Sequence, residues 1–273
     1  NPNPIGKRDI LVINNVIHSI VKPGTFNSNP LIDEIYDCSG KYIIPGIIDQ
    51  HVHIIGGGGE NGPLSSISEM NTIDITKAGV TTVVGVLGFD DINKSLPALL
   101  NKAKALELSG ITAYIYTGSY SSPVSTFTGD IKKDLVLIDK VIGVGEIAIS
   151  DHRSTLSDFK ELMKIASDAH IGGMISGKAG ITHIHIGDGS DMLSPLIQTL
   201  EHSELPLCSV IPTHVNRNKK LFYEAINYCK KGGYIDLTAG QWDERGFSVP
   251  DAIELLLKNN IKLSRVTVSS DAN

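Results

Sequence analysis

Ile43-Ile44-Pro45-Gly46-Ile47-Ile48-Asp49-Gln50-His51-Val52-His53 is an apolar run that ends on two histidines one residue apart. Alternate residues of a strand share a face, so a strand here aims both imidazoles at one point near its C-terminal end. Outward from this stretch the pattern repeats. Short runs rich in Val, Ile and Thr at Thr81–Leu87, Thr112–Tyr116, Ile142–Ile149, Thr182–Ile186, Leu207–Thr213, Tyr234–Thr238 and Arg265–Ser269 read as strands buried on both faces. Amphipathic stretches separate them. The clearest is Lys94–Leu108, with Leu96, Leu99, Leu100, Ala103 and Leu106 at helical spacing; Asp158–Ala169, Met192–Glu201, Lys220–Lys231 and Pro250–Asn259 follow. Gly110, Gly232 and Asn259 suit helix ends. Strands alternating with helices predict a parallel sheet, and eight of them close a (β/α)8 TIM-like barrel. An open doubly wound sheet calls instead for a GxGxxG turn after the first strand, and Gly56-Gly57-Gly58-Gly59 lacks that spacing. No eighth helix follows the eighth strand before Asn273, so a longer chain is expected.

Upstream, Asp9–Ile13 and Val16–Val21 flank Asn14-Asn15, a hairpin signal, and a Pro/Gly/Asn-rich stretch follows. This predicts a small β segment over residues 1–42, part of a β-sandwich domain, ahead of a barrel over 43–273. Composition narrows the partners. With 24 Lys and Arg against 30 Asp and Glu, the net charge of −6 leaves no basic footprint for nucleic acid or an anionic membrane. No apolar run approaches the ~20 residues that span a bilayer. Cys38, Cys208 and Cys229 are scattered and odd in number, which argues against a disulfide scaffold and points to a reducing, cytoplasmic compartment.

In a parallel barrel, chemistry gathers at the C-terminal ends of the strands. There the sequence places His51 and His53 on strand one, Glu146 on strand four, His185 on strand five, His214 on strand six and Asp271 after strand eight. Each has a plain structural explanation: His185 as a core histidine, Glu146 as an odd buried acid, Asp271 as a helix cap. Their coincidence at the ends of five strands does not. Four histidines and two carboxylates at one mouth are the ligand stock for a pair of borderline-soft divalent ions, of which zinc suits the set best. His183, beside His185, reads as non-ligating.

Pro45-Gly46-Ile47-Ile48-Asp49-Gln50-His51-Val52-His53 resembles the first barrel strand of the amidohydrolase superfamily. Its continuation through Gly56-Gly57-Gly58-Gly59-Glu60-Asn61-Gly62-Pro63 is similar to the isoaspartyl (β-aspartyl) dipeptidase family. So are Thr117-Gly118-Ser119-Tyr120, Ile149-Ser150-Asp151-His152-Arg153-Ser154, Pro212-Thr213-His214-Val215-Asn216-Arg217-Asn218 and Ser269-Ser270-Asp271. The resemblance implies hydrolysis of the side-chain amide of a β-aspartyl dipeptide by a metal-bound hydroxide. His51, His53 and Asp271 would hold the more buried ion, His185 and His214 the other. Glu60 and Gly58 would bind the substrate ammonium, and Arg153 and Arg217 its carboxylates. Tyr120 would stabilise the oxyanion, with Asp271 as general base and then general acid. Large homo-oligomers are also implied.

Two positions depart from that family. It usually has a carboxylated lysine to bridge the metals, where this chain has Glu146, shorter by about 4 Å of reach, so either the strand or the metals move inward to keep the bridge or the second metal is lost. Phe89 stands where the family tends to have a small hydroxyl residue, which suggests a more apolar pocket. Competing readings are an N-acyl amino acid deacylase, a dihydroorotase-like cyclic amidase, or a catalytically silent barrel within an assembly.

Overall fold

A computed structural model describes residues 3–26, 29–240 and 244–272. The chain divides into two compact units, Asn1–Gly46 and Ile47–Asn273. In the first, β1 (Asp9–Ile13) and β2 (Val16–Val21) pair antiparallel. Asn14 and Asn15 both take positive φ, 50° and 64°, the backbone that a tight hairpin turn demands and that asparagine tolerates.

The second unit begins with β3 (Ile47–Val52), four residues later than the apolar run suggests, because Pro45 cannot donate to a ladder. It continues through β4 (Val80–Gly85), β5 (Thr112–Thr117), β6 (Val141–Ile149), β7 (Ile181–Ile186) and β8 (Val210–Thr213), six parallel strands hydrogen-bonded in sequence order. Next, β9 (Ile235–Thr238) and β10 (Val266–Ser269) form a parallel pair. The expected Leu207–Thr213 strand starts late, since Leu207–Ser209 is a 3-10 turn.

Side-chain and backbone hydrogen bonds close the two seams. Asp236 on β9, fully buried, accepts from Thr213 Oγ1 on β8 at 2.7 Å, Gln50 Nε2 on β3 at 2.8 Å, and Thr267 Oγ1 and Ser269 Oγ on β10 at 2.6 and 2.5 Å. Asn216 donates to Thr238 O at 3.0 Å and accepts from Thr238 N at 2.9 Å. At the other seam, His53 N donates to Ala272 O at 2.8 Å and Asp271 N to His51 O at 3.2 Å. The unit is a TIM-like barrel, as the alternation of strands and helices predicts.

Among the described residues seven α-helices cover the strands: α1 (Thr72–Lys77), α2 (Leu96–Leu108), α3 (Ile131–Leu137), α4 (Phe159–Ser176), α5 (Ser194–Glu201), α6 (Lys219–Lys230) and α7 (Val249–Lys258). Ser95, Asp130, Asp158, Asn218 and Ser248 cap helix N-termini with their side-chain oxygens, each worth about 1 kcal/mol. Buried Leu99, Ile115, Leu162, Ile184, Leu221 and Leu256 belong to the core that joins helices to strands. The helix expected over Asp158–Ala169 runs seven residues further, through Gly172 and Gly173. Both glycines are contact points: a Cβ on Gly173 would lie 2.5 Å from Gly180 Cα, and one on Gly172 would lie 3.1 Å from Leu135 Cβ. The short helices α1 and α3 have no counterpart in the sequence pattern.

Candidate active site

The strand ends deliver His51, His53, Glu146, His185, His214 and Asp271 to one place. His51 lies at the end of β3 and is fully buried. Its Nε2 is 3.4 Å from Glu146 Oε2 and 3.2 Å from Asp271 Oδ1, and His53 Nε2 is 3.2 Å from the same Asp271 oxygen. On the other side, Glu146 Oε1 lies 2.8 Å from His185 Nδ1 and 3.0 Å from His214 Nε2. The short glutamate therefore reaches both groups, one oxygen to each, despite its missing length relative to a carboxylated lysine.

Two observations separate this cluster from an ordinary buried polar network. Buried polar atoms almost always find partners, yet His51 Nε2, His53 Nδ1 and Glu146 Oε2 make no well-aligned hydrogen bond. The ligand atoms of His51, His53 and Asp271 lie within 4.8 Å of one another, as do those of His51, Glu146 and His214, a spacing that suits a shared cation. His214 and Asp271 also hold positive φ, 62° and 54°. Left-handed backbone at non-glycine residues is strained by about 1–3 kcal/mol and persists where surrounding structure enforces it. The donor set fits divalent metal ions.

Charges in the cluster support one another. Burial opposes a charge on Glu146, but the imidazoles of His51 and His185 hold its carboxyl well below the usual range. Burial likewise opposes a charged His51, and Glu146 and Asp271 outweigh it, raising His51 well above an ordinary histidine. His183, expected to be non-ligating, is a second layer: its Nε2 lies 2.9 Å from His51 Nδ1, and its ring stacks on Tyr116. Burial, then the charge of His51, pushes His183 down to about 3, so it stays neutral. With His51 Nδ1 turned to His183, His51 Nε2 faces the carboxylates of Glu146 and Asp271.

Above the cluster lies a rim of charge. Tyr120 Oη is 2.7 Å from His185 Nδ1 and 3.5 Å from Glu146 Oε1. Burial and Glu146 raise its pKa well above that of an ordinary tyrosine, so the hydroxyl keeps its proton. Arg153 Nη1 donates to Glu60 Oε1 at 3.0 Å, so the two rim residues of opposite charge meet each other. Arg217 Nη1 donates to Ile186 O at 2.7 Å and lies 3.4 Å from His185 Nε2. Phe89 packs edge-on to Tyr120 and beside the Arg153 guanidinium, an apolar wall of the mouth. Gly58 (φ +71°) sits in a loop folded onto Ser65–Ile67, where a Cβ would meet Ser65 O at 2.2 Å. Buried Lys94, which the sequence reading did not single out, donates to Gly57 O at 3.2 Å and supports the loop that carries Glu60.

No protein-family model matches the chain. The crystal structure of a β-aspartyl dipeptidase from Fervidobacterium islandicum AW-1 is 47% identical, with a TM-score of 0.93 over 99% of this chain and 73% of its own. The chain belongs to the β-aspartyl dipeptidase family. A second crystal structure of the Fervidobacterium dipeptidase, in complex with β-Asp-Leu, matches at the same identity and TM-score. A dihydroorotase from Desulforapulum autotrophicum is 27% identical over 149 residues, 53% of this chain and 32% of that enzyme. Dihydropyrimidinase from Brevibacillus agri NCHU1002, at 15% identity and a TM-score of 0.56, shares the fold. As a β-aspartyl dipeptidase family member, the chain is a hydrolase of the amidohydrolase superfamily, and its His, Glu and Asp groups are those of a divalent-metal site. Among the described residues no helix is long and apolar enough to cross a membrane.

Proposed function

We propose that this chain hydrolyses the side-chain amide of β-aspartyl dipeptides, releasing aspartate and a free amino acid. The observation that carries the reading is the buried cluster of unsatisfied histidine and carboxylate atoms beneath a rim of opposite charges, in a chain 47% identical to a β-aspartyl dipeptidase. The donors would suit two zinc ions: His51, His53 and Asp271 would hold one, His185 and His214 the other, and Glu146 would serve both. Bound there, divalent ions supply Lewis acidity, polarising the scissile carbonyl and making water a nucleophile near neutral pH.

The chain's own groups do the rest. The substrate carries one ammonium and two carboxylates. Glu60 pairs with the ammonium while Arg153 and Arg217 take the carboxylates, in the bidentate geometry that guanidinium favours. Binding exchanges the Glu60–Arg153 ion pair for two pairs with substrate. The Tyr120 hydroxyl donates to the oxygen of the attacked amide as negative charge grows there. The Asp271 carboxylate accepts a proton from the attacking water and returns it to the departing nitrogen. Three free cysteines are compatible with the cytoplasm, and homo-oligomeric assembly is part of the proposal.

A substrate panel tests the reading. Zinc-loaded full-length protein should release leucine from β-Asp-Leu at least 100-fold faster than from α-Asp-Leu, N-acetyl-leucine or, as ring opening, dihydroorotate. Dihydroorotate opening at a rate above β-Asp-Leu cleavage would overturn it in favour of a cyclic amidase.

A further inference from the structure

Asp151 touches both halves of the site, His185 on one side and Arg153 on the other. Just past β6, its side chain is 4% exposed. Its Oδ2 lies 2.9 Å from His185 Nε2 and 2.7 Å from Arg153 Nη2; its Oδ1 accepts from Arg153 Nε at 2.8 Å and from the Arg153 backbone N at 2.9 Å. A carboxylate so fully engaged is not free to take a cation or a substrate group itself. Its place is enforced from the neighbouring loop. Gly189 N donates to Ser150 O at 2.7 Å, Ser150 Oγ donates to Met192 O at 2.8 Å, and a Cβ on Gly187 would come within 2.5 Å of Asp151 Cβ.

We propose that Asp151 is a positioning residue that holds the His185 ring and the Arg153 fork in one register, coupling the cation cluster to the substrate rim. Arg153 Nη2 at 3.3 Å and Arg217 Nη1 at 3.4 Å crowd the same His185 Nε2. Two guanidinium groups do not gather round an imidazole N–H unless a negative charge lies among them, and Asp151 supplies it. Hydrogen-bonded to Asp151 through Nε2, His185 is locked with Nδ1 facing Glu146. The doubly bonded Arg153 in turn keeps Nη1 turned towards Glu60. A neutral amide at 151 leaves His185 facing two cations and loosens the fork.

The substrate half of this inference rests on the function proposed above; the cation half does not. The test is a zinc titration of the chelated full chain, read by competition with a chromophoric chelator, alongside KM for β-Asp-Leu. Asp151→Asn is expected to weaken zinc binding at His185 and His214 by about 10–100-fold, sparing the ion held by His51, His53 and Asp271. KM should rise about 10-fold, the loss of one charge-assisted contact. Arg153→Met, which removes the fork but leaves Asp151 on His185, should raise KM while zinc affinity stays within about threefold. Wild-type zinc affinity and KM in Asp151→Asn, or a change in only one of them, overturns the coupling. So does loss of zinc binding in Arg153→Met, a result that counts even if Asp151→Asn does not fold. The zinc titration stands whichever dipeptide the enzyme prefers.

Discussion

The floor of the barrel mouth and its rim carry the same kinds of charged group and solve opposite problems. On the floor, His51, His53 and Glu146 keep buried atoms without aligned partners. On the rim, Glu60, Arg153 and Arg217 are each satisfied by the protein, through Arg153–Glu60 and Arg217–Ile186 contacts. An unsatisfied buried donor set is costly unless something binds it, which is the signature of a resident ion. A satisfied but exposed ion pair contributes little, about 0–1 kcal/mol, so a substrate with matching charges can displace it. On the proposed function, the floor is filled permanently and the rim is exchanged.

Substitutions on the two levels should therefore fail in different ways. The largest effect is expected for Asp271→Asn, which removes both a floor ligand and the proton carrier: kcat should fall by about 10⁴-fold with the circular dichroism spectrum unchanged. Activity within tenfold of wild type would remove Asp271 from the mechanism. Tyr120→Phe, between the levels, should cost about 10²–10³-fold in kcat with KM little altered, the pattern of a contact made only in the transition state. Glu60→Gln on the rim should do the reverse, raising KM for β-Asp-Leu about 10–100-fold with kcat nearly intact. It should also erase the preference for β-Asp-Leu over its N-acetylated form, and a preserved preference would show that Glu60 does not meet the ammonium.

The smallest effect belongs to a charge outside both levels. Partial burial works against ionisation of Asp168, yet Lys132 at 2.7 Å and Lys164 at 2.8 Å hold its carboxyl below the ordinary range. A carboxyl depressed in the folded state stabilises the protein above its unfolded pKa, and the contribution disappears as pH falls through the folded value. Asp168→Asn should thus cost about 0.5 kcal/mol in urea unfolding at pH 7, a cost that shrinks as the pH is lowered below the ordinary carboxylate range, with kcat unchanged.

Much of this was legible in the sequence because period and position are local properties. The strands expected at Thr112–Tyr116, Ile142–Ile149, Thr182–Ile186, Tyr234–Thr238 and Arg265–Ser269 agree with the structure to within a residue at each end, and only Leu207–Thr213 among the later ones starts three residues late. The spacing of His51 and His53 announces a shared face, and Glu146, His185, His214 and Asp271 follow from strand-end placement once a barrel is assumed. The helices α1 and α3 escaped because six or seven residues carry too little periodicity. Helix α4 outran its expected end because the reason for Gly172 and Gly173, close approach to Leu135 and Gly180, lies in distant parts of the chain. The supporting parts of His183 and Asp151 were hidden for the same cause, although His183 is non-ligating as expected. Their work is done by contacts with His51 and His185, from strands far away in sequence. For His183 the available signal was its alternation with His185 on one strand, the same i, i+2 pattern that marked His51 and His53.

The most direct test of the contrast between floor and rim is leucine release from β-Asp-Leu as zinc is returned stepwise to exhaustively chelated protein. The account predicts no release from the metal-free chain and a rate that climbs with bound zinc until the floor is filled, with KM unchanged from point to point. Release that persists without metal, or a filled floor that leaves β-Asp-Leu intact, would contradict it.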